Sequence, residues 1–249
     1  MSSVRIDVSD LSDASGDGSG APKTRRVVRP NGEAQGSTRG RPVLLRLLRM
    51  AVFAALLAVA PFLVLVRGGV FAYQRWDLGA WPSLGLAALA TVLLVSLYGL
   101  VAGARLGAGR KSRKMILRGV VLLVAAYVVH SLVLVAGANF KTPEVRAEYV
   151  RLHPLLRVAA STVMLFDSDA VVTDASRTPE FYARLGLPPN ESSLHFVQAT
   201  GFVHALDLRT LGRPEWRNTL SELVFKAMGF RTLRHAGTAD HLHVSLPDR

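Results

Sequence analysis

Five of the seven histidines of this 249-residue chain lie between residues 195 and 243. His195 and His204 precede Asp207; His235, His241 and His243 surround Asp240. Imidazoles and a carboxylate drawn from two sequence-distant places are what a tetrahedral zinc site with three protein ligands and one open position requires. In His241-Leu242-His243 the i, i+2 spacing puts both rings on one face of a strand. If Asp207 ends a neighbouring strand, it meets them on that face. One ring could then bind metal while the other orients a water or moves a proton. Taken by itself, the pair also reads as two solvent-facing histidines beside a surface aspartate.

The remaining chemistry is narrowed by composition. The chain has no cysteine, so disulfides, thiolate metal sites and cysteine nucleophiles are excluded. It has no Gly-x-Ser-x-Gly elbow, no phosphate-binding Gly-Lys-Ser/Thr loop and no dinucleotide fingerprint. The net charge of +12 is unevenly placed. Residues 1–49 carry nine Lys/Arg against five Asp/Glu, residues 50–140 eight against one, and residues 141–249 thirteen against twelve. The histidine-rich part is therefore nearly neutral and lacks the basic footprint of a nucleic-acid binder. No nucleic-acid partner is expected.

The elements that must position these residues follow from the chain in order. Residues 1–42, rich in Ser, Gly, Asp, Arg and Pro without apolar periodicity, are expected to form a disordered basic cytoplasmic tail. Three apolar runs follow: Met50–Val66, Ala80–Gly103 and Gly119–Phe140. Each approaches the roughly 20 residues needed to cross a ~30 Å hydrocarbon core. Spans are expected at about 46–66, 80–103 and 116–140, within a bilayer-embedded region covering 43–140. Arg105, Arg110, Lys111, Arg113 and Lys114 crowd the second connection, whereas the first holds only Arg67, Arg75 and Asp77. The positive-inside rule puts the second connection and the amino terminus in the cytoplasm, and the carboxy-terminal part on the outer face of a bacterial inner membrane. His130 lies within the third run, as a functional group or as a neutral ring facing another helix.

Residues 141–249 read as a small α+β domain with a largely antiparallel sheet. A helical lead-in is expected over Pro143–Arg157, strands at Ser161–Phe166 and Ala170–Thr173, and a helix over Ser176–Leu185. A strand at Val203–Leu208 carries Asp207. The clearest amphipathic helix runs from Pro214 to Met228 and stops at Gly229. Strands at Phe230–Arg234 and His241–Leu246 are expected to pair through Ala236-Gly237-Thr238.

One stretch of about a third of the chain, residues ~170–249, resembles the Hedgehog/DD-peptidase superfamily of zinc peptidases, which includes D-alanyl-D-alanine carboxypeptidases and murein endopeptidases. The pieces that carry the resemblance are the Arg-Thr turn in Val171-Val172-Thr173-Asp174-Ala175-Ser176-Arg177-Thr178-Pro179, then Ser193-Leu194-His195, then Ala205-Leu206-Asp207-Leu208. The helix to Met228 and Asp240-His241-Leu242-His243-Val244 complete them. The family's first histidine ligand stands seven residues before the aspartate, where this chain has Thr200; His195 stands twelve before it. Three arrangements answer that departure: an insertion in a loop that still delivers His195, substitution by His204, or a degenerate site.

The resemblance implies one zinc ion held by His195, Asp207 and His243, with His204 as the alternative ligand. It places Asp240 where the family has a glutamate base, makes His241 an alternative acid/base or oxyanion stabiliser, and gives Arg177 a substrate carboxylate to hold. The function it implies is metal-assisted hydrolysis, or simple binding, of peptidoglycan peptides by a protein anchored in the lipid bilayer. A catalytically degenerate relative that binds cell-wall peptide or a protein partner, and a membrane scaffold, are the rival readings. Oligomeric state is not legible.

Overall fold

The computed structural model describes residues 40–133, 135, 137–184, 186, 188–190, 192–237 and 240–247, with side chains from residue 43 onward. Residues 1–39 of the expected tail and Thr238 of the expected hairpin connection lie outside the described residues, and residues 40–42, expected as the end of that tail, begin the first helix.

The apolar runs form three helices: α1 (Gly40–Arg75), α2 (Ala80–Arg105) and α3 (Arg110–Val133). All three are long and apolar enough to cross a membrane. At 1.5 Å per residue the 26 residues of α2 reach about 39 Å, beyond a ~30 Å hydrocarbon core. The boundaries differ from the sequence reading: α1 and α3 begin about six residues earlier than the expected 46 and 116, at Gly40 and Arg110. Helix α1 continues past Val66 to Arg75, and α3 stops at Val133 rather than reaching residue 140. Beyond it a 3-10 turn at Gly137–Asn139 leads to Phe140, which is buried and forms a parallel bridge with Val172. The end of the third apolar run is thus core of the following domain.

The lead-in is two helices, not one. Helix α4 (Pro143–Tyr149) is capped by Thr142, and α5 (Pro154–Phe166) by His153, whose Nδ1 accepts from the Leu155 amide at 3.3 Å. Pro154 pushes His153 out of helical conformation and supplies a preset first residue for α5. The strand expected at Ser161–Phe166 is the second half of α5. Ten consecutive or near-consecutive residues of this helix, Pro154 to Met164 apart from Arg157, are buried. A helix apolar on every side is a core helix, and it shows neither the alternation of a strand nor a polar face.

Four strands complete the chain: β1 (Val172–Asp174), β2 (Ala205–Arg209), β3 (Arg231–His235) and β4 (His241–Ser245). Their order is β1-β2-β4-β3, and every ladder is antiparallel. Short helix α6 (Pro179–Arg184) follows β1, and α7 (Glu215–Met228) links β2 to β3. Helix α7 ends on Gly229 at φ 97°, with Gly229 and Phe230 amides returning to Lys226 and Phe225 carbonyls. The left-handed φ is what calls for glycine here; a Cβ would also meet the movable end of Arg67.

Leu206 and Leu208 of β2 and Leu242 and Val244 of β4 point to one side of the sheet and are fully buried with α5 and with Phe225 and Met228 of α7. The same cluster takes in Leu65, Val66, Val70 and Tyr73 of α1 and Leu84 and Ala87 of α2. Helix α5 is the hub: a Cβ on Gly69 would meet the Leu155 side chain at 2.5 Å, and Tyr127 of α3 bonds Thr162 at 2.7 Å. Residues 48–249 form one unit with no break near residue 140.

Candidate metal centre

The face of the sheet turned away from that core carries the chemistry. Antiparallel register sets Asp207 of β2 directly opposite His243 of β4, and Asp174 of β1 opposite Asp207. One pleat along the same face, His241 stands between Arg209 and His235. Pairing therefore builds one row of Asp174, Asp207 and His243, and beside it a row of Arg209, His241 and His235.

His195 arrives from a loop. Its neighbours are fixed by backbone bonds: the Leu194 carbonyl accepts from the His204 amide at 2.9 Å, and the His195 carbonyl accepts from the Arg177 amide at 2.9 Å. The chain between His195 and His204 folds back on itself. Val197 bridges Val203, the Gln198 amide bonds the Phe202 carbonyl at 2.9 Å, and Gly201 at φ 80° closes the turn. This small hairpin takes up the residues between His195 and His204 and so brings His195 back beside β2. Thr200 sits in its turn, where its hydroxyl lies 2.8 Å from His204 Nε2.

Three donors converge as a result: His195 Nε2, His243 Nδ1 and an Asp207 carboxylate oxygen, all within 4.8 Å of one another. His243 Nδ1 is 2.9 Å from Asp207 Oδ1, His195 Nε2 is 3.4 Å from the same oxygen, and the two ring nitrogens are 3.3 Å apart. Tetrahedral zinc bonds of about 2.0–2.1 Å require donors about 3.3 Å apart, so two of the three edges fit and the third needs a small opening. The hydrogen bonds agree. His195 Nδ1 lies 3.0 Å from the Ala175 carbonyl, which can only accept, so Nδ1 carries the hydrogen and Nε2 presents its lone pair to the cluster. With both rings neutral, one hydrogen on His243 Nδ1 is all that separates three acceptors. A cation, or a second proton on His195, supplies what is missing.

Asp207 is buried at 4 % exposure, yet it is strongly anionic. Burial by itself would raise its carboxyl pKa; the hydrogen bonds and charge of His195 and His243 outweigh this and hold it far below the usual carboxylate range. Its second oxygen faces Arg177 Nη2 at 3.4 Å and His241 Nε2 at 3.7 Å. Arg177 also donates from Nε to Asp174 at 2.6 Å. Burial would lower the guanidinium pKa, but Asp174, Tyr182 and Asp207 together raise it. Arg177 thus stands at the rim of the cluster, with Tyr182, stacked on Phe196, beside it.

Two sequence-derived candidates sit elsewhere. His204 is buried on the core side, with its ring 5.3 Å from that of His153 and 6.2 Å from that of Tyr73, and it does not join the donors. The outward–inward alternation of a strand is the reason: three residues before Asp207, it points the other way. Asp240 is clamped by Arg234 through two bonds of 2.7 and 2.8 Å and accepts from Thr210 at 2.8 Å. These partners, Arg234 first, lower its pKa to about 2. A carboxylate so stabilised is a poor proton acceptor. His241 faces the cluster instead, stacked on His235 at 4.6 Å between ring centroids. Sequence reasoning passed over Asp174, signalled by its i, i+3 spacing to Arg177, as a site neighbour; strand register puts His235 directly beside His241.

Comparison of the chain with protein-family models, with curated proteins and with solved structures found no match.

Proposed function

We propose that this chain is a membrane-anchored zinc hydrolase that acts on peptide bonds of the cell wall, with the sheet on the extracytoplasmic side. The observation that supports it above all is the convergence of His195, Asp207 and His243, from a loop and two strands, at tetrahedral-edge spacing. Zinc held there supplies a Lewis acid and a bound water of lowered pKa. The chain's own residues contribute the rest. His195, Asp207 and His243 would hold the ion, and the Ala175 carbonyl fixes the His195 tautomer. His241, beside the open face, takes or gives the proton. Arg177 exchanges Asp174 for the carboxylate of the incoming peptide. Five basic residues between Arg105 and Lys114 support a cytoplasmic second connection and hence this orientation.

One observation favours a second reading, in which the site binds wall peptide without cutting it: Asp240, in the place of the family's base, is committed to Arg234. Metal analysis of the detergent-purified full chain, combined with mass-spectrometric digestion of muropeptides, tests both. About one zinc per chain with release of D-alanine or a shortened peptide, both lost in His243→Ala, supports hydrolysis. Zinc with peptide binding but no cleavage supports the second reading. A folded chain without zinc overturns hydrolysis, and one that also fails to bind muropeptide overturns both.

A further inference from the structure

An apolar groove of about 370 Å³ lies between α1, α5 and α7, and none of the histidine cluster lines it. Val59, Phe62 and Leu63 of α1 form one wall, Phe166 of α5 the second, and Leu220 and Leu223 of α7 the third. Phe62 and Phe166 meet edge to face at 5.4 Å. The outer lips are open: Phe166 is 69 % exposed, Leu223 56 % and Leu220 51 %, and Trp216 continues the apolar stripe one turn earlier on α7.

We infer that this groove holds the hydrocarbon chain of a membrane lipid and that α7 lies against the bilayer. The α1 wall decides the occupant. Val59, Phe62 and Leu63 belong to the charge-free run Met50–Val66, and Val59 lies eight residues, about 12 Å of helix, before the first charge at Arg67. A groove whose wall is the lipid-facing flank of a span opens into acyl chains, not into water. The α7 stripe of Trp216, Leu220 and Leu223 then has the make-up of an interfacial helix face, aromatic at one end and aliphatic beyond. Among the described residues Asp167 is the one ionisable side chain lining the groove, and it is paired with Arg213; Arg217, bordering the stripe, is paired with Asp169. The inference does not depend on the metal site; it rests on α1 crossing the bilayer.

The test uses tryptophan quenching in the full chain. Trp76→Phe, Trp81→Phe and Trp216→Phe with Leu223→Trp leaves one reporter inside the groove; a second protein carries the same three changes with Phe53→Trp, on the exposed α1 flank well below it. Both are reconstituted in phosphatidylethanolamine–phosphatidylglycerol vesicles with oleoyl chains, or with oleoyl chains dibrominated at the double bond. The expected result is a fall of at least about twofold in fluorescence for both reporters in brominated vesicles. Quenching of the α1 reporter alone, with the groove reporter open to acrylamide or shielded by another protein chain, overturns the inference while leaving the span intact. Loss of quenching at both positions removes the span and the groove together.

Discussion

Asp207 is an almost fully buried carboxylate with two imidazoles on one oxygen and a guanidinium and a third imidazole near the other. Removing it, or removing either ring, leaves a two-donor site. His195→Ala, Asp207→Ala and His243→Ala should each abolish zinc binding measured on the purified full chain, whereas His204→Ala should retain it, because that ring points into the core. Where zinc is bound at a hundred times its dissociation constant, chelation should lower unfolding free energy by about 2.7 kcal/mol, read as a drop in melting temperature. Asp240 belongs to a separate experiment. Arg234 and then Thr210 hold its folded pKa down to about 2, below the ordinary aspartate value of 3.8, so its contribution to stability is complete above 3.8 and is lost as pH falls toward 2. Asp240→Asn should therefore flatten the acid limb of the melting-temperature profile over that interval and leave zinc content unchanged. The His-x-His pair was legible from period-two spacing alone. His195 was legible only through the resemblance, because nothing in Phe196–Val203 announces a hairpin except Gly201.

At the scale of elements, the sequence reading located every strand of the final sheet and both ends of α7 within a residue or two, since alternation and a glycine stop leave local marks. It failed at Ser161–Phe166. That segment ends a helix that is largely buried, and a short run of Ser, Thr and apolar residues gives no periodicity from which to tell helix from strand. What fixes α5 as a helix is tertiary: the His153 cap and the three membrane-type helices that receive it. Gly69 is the closest of those contacts, so Gly69→Ala should destabilise the chain by about 1–3 kcal/mol as Leu155 is displaced. Combining it with Leu155→Val should recover part of that loss, measured by thermal unfolding in detergent; an additive loss would show that the two positions do not press on one another.

For the whole molecule, the division between anchor and domain drawn from hydropathy does not describe the packing. Leu65, Val66, Val70 and Tyr73 of α1 and Leu84 and Ala87 of α2 belong to the same buried cluster as the sheet's inner face. Composition cannot reveal this, because a leucine facing lipid and a leucine facing a sheet look alike in sequence. A fragment of residues 141–249 lacks those six side chains and exposes the α5 surface they cover; it should aggregate or lose near-ultraviolet dichroism, while the full chain in detergent keeps it. Because α1 is one helix that begins among the apolar spans and ends inside the domain's core, the tilt it takes in a bilayer is not free of the sheet above it. Lipids of shorter or longer chains change the tilt a span prefers, and here that preference acts on Tyr73 and on the layer behind the strands. Membrane thickness thereby becomes a variable of the sheet's stability, and host lipid composition a part of the conditions under which the histidine cluster keeps its shape.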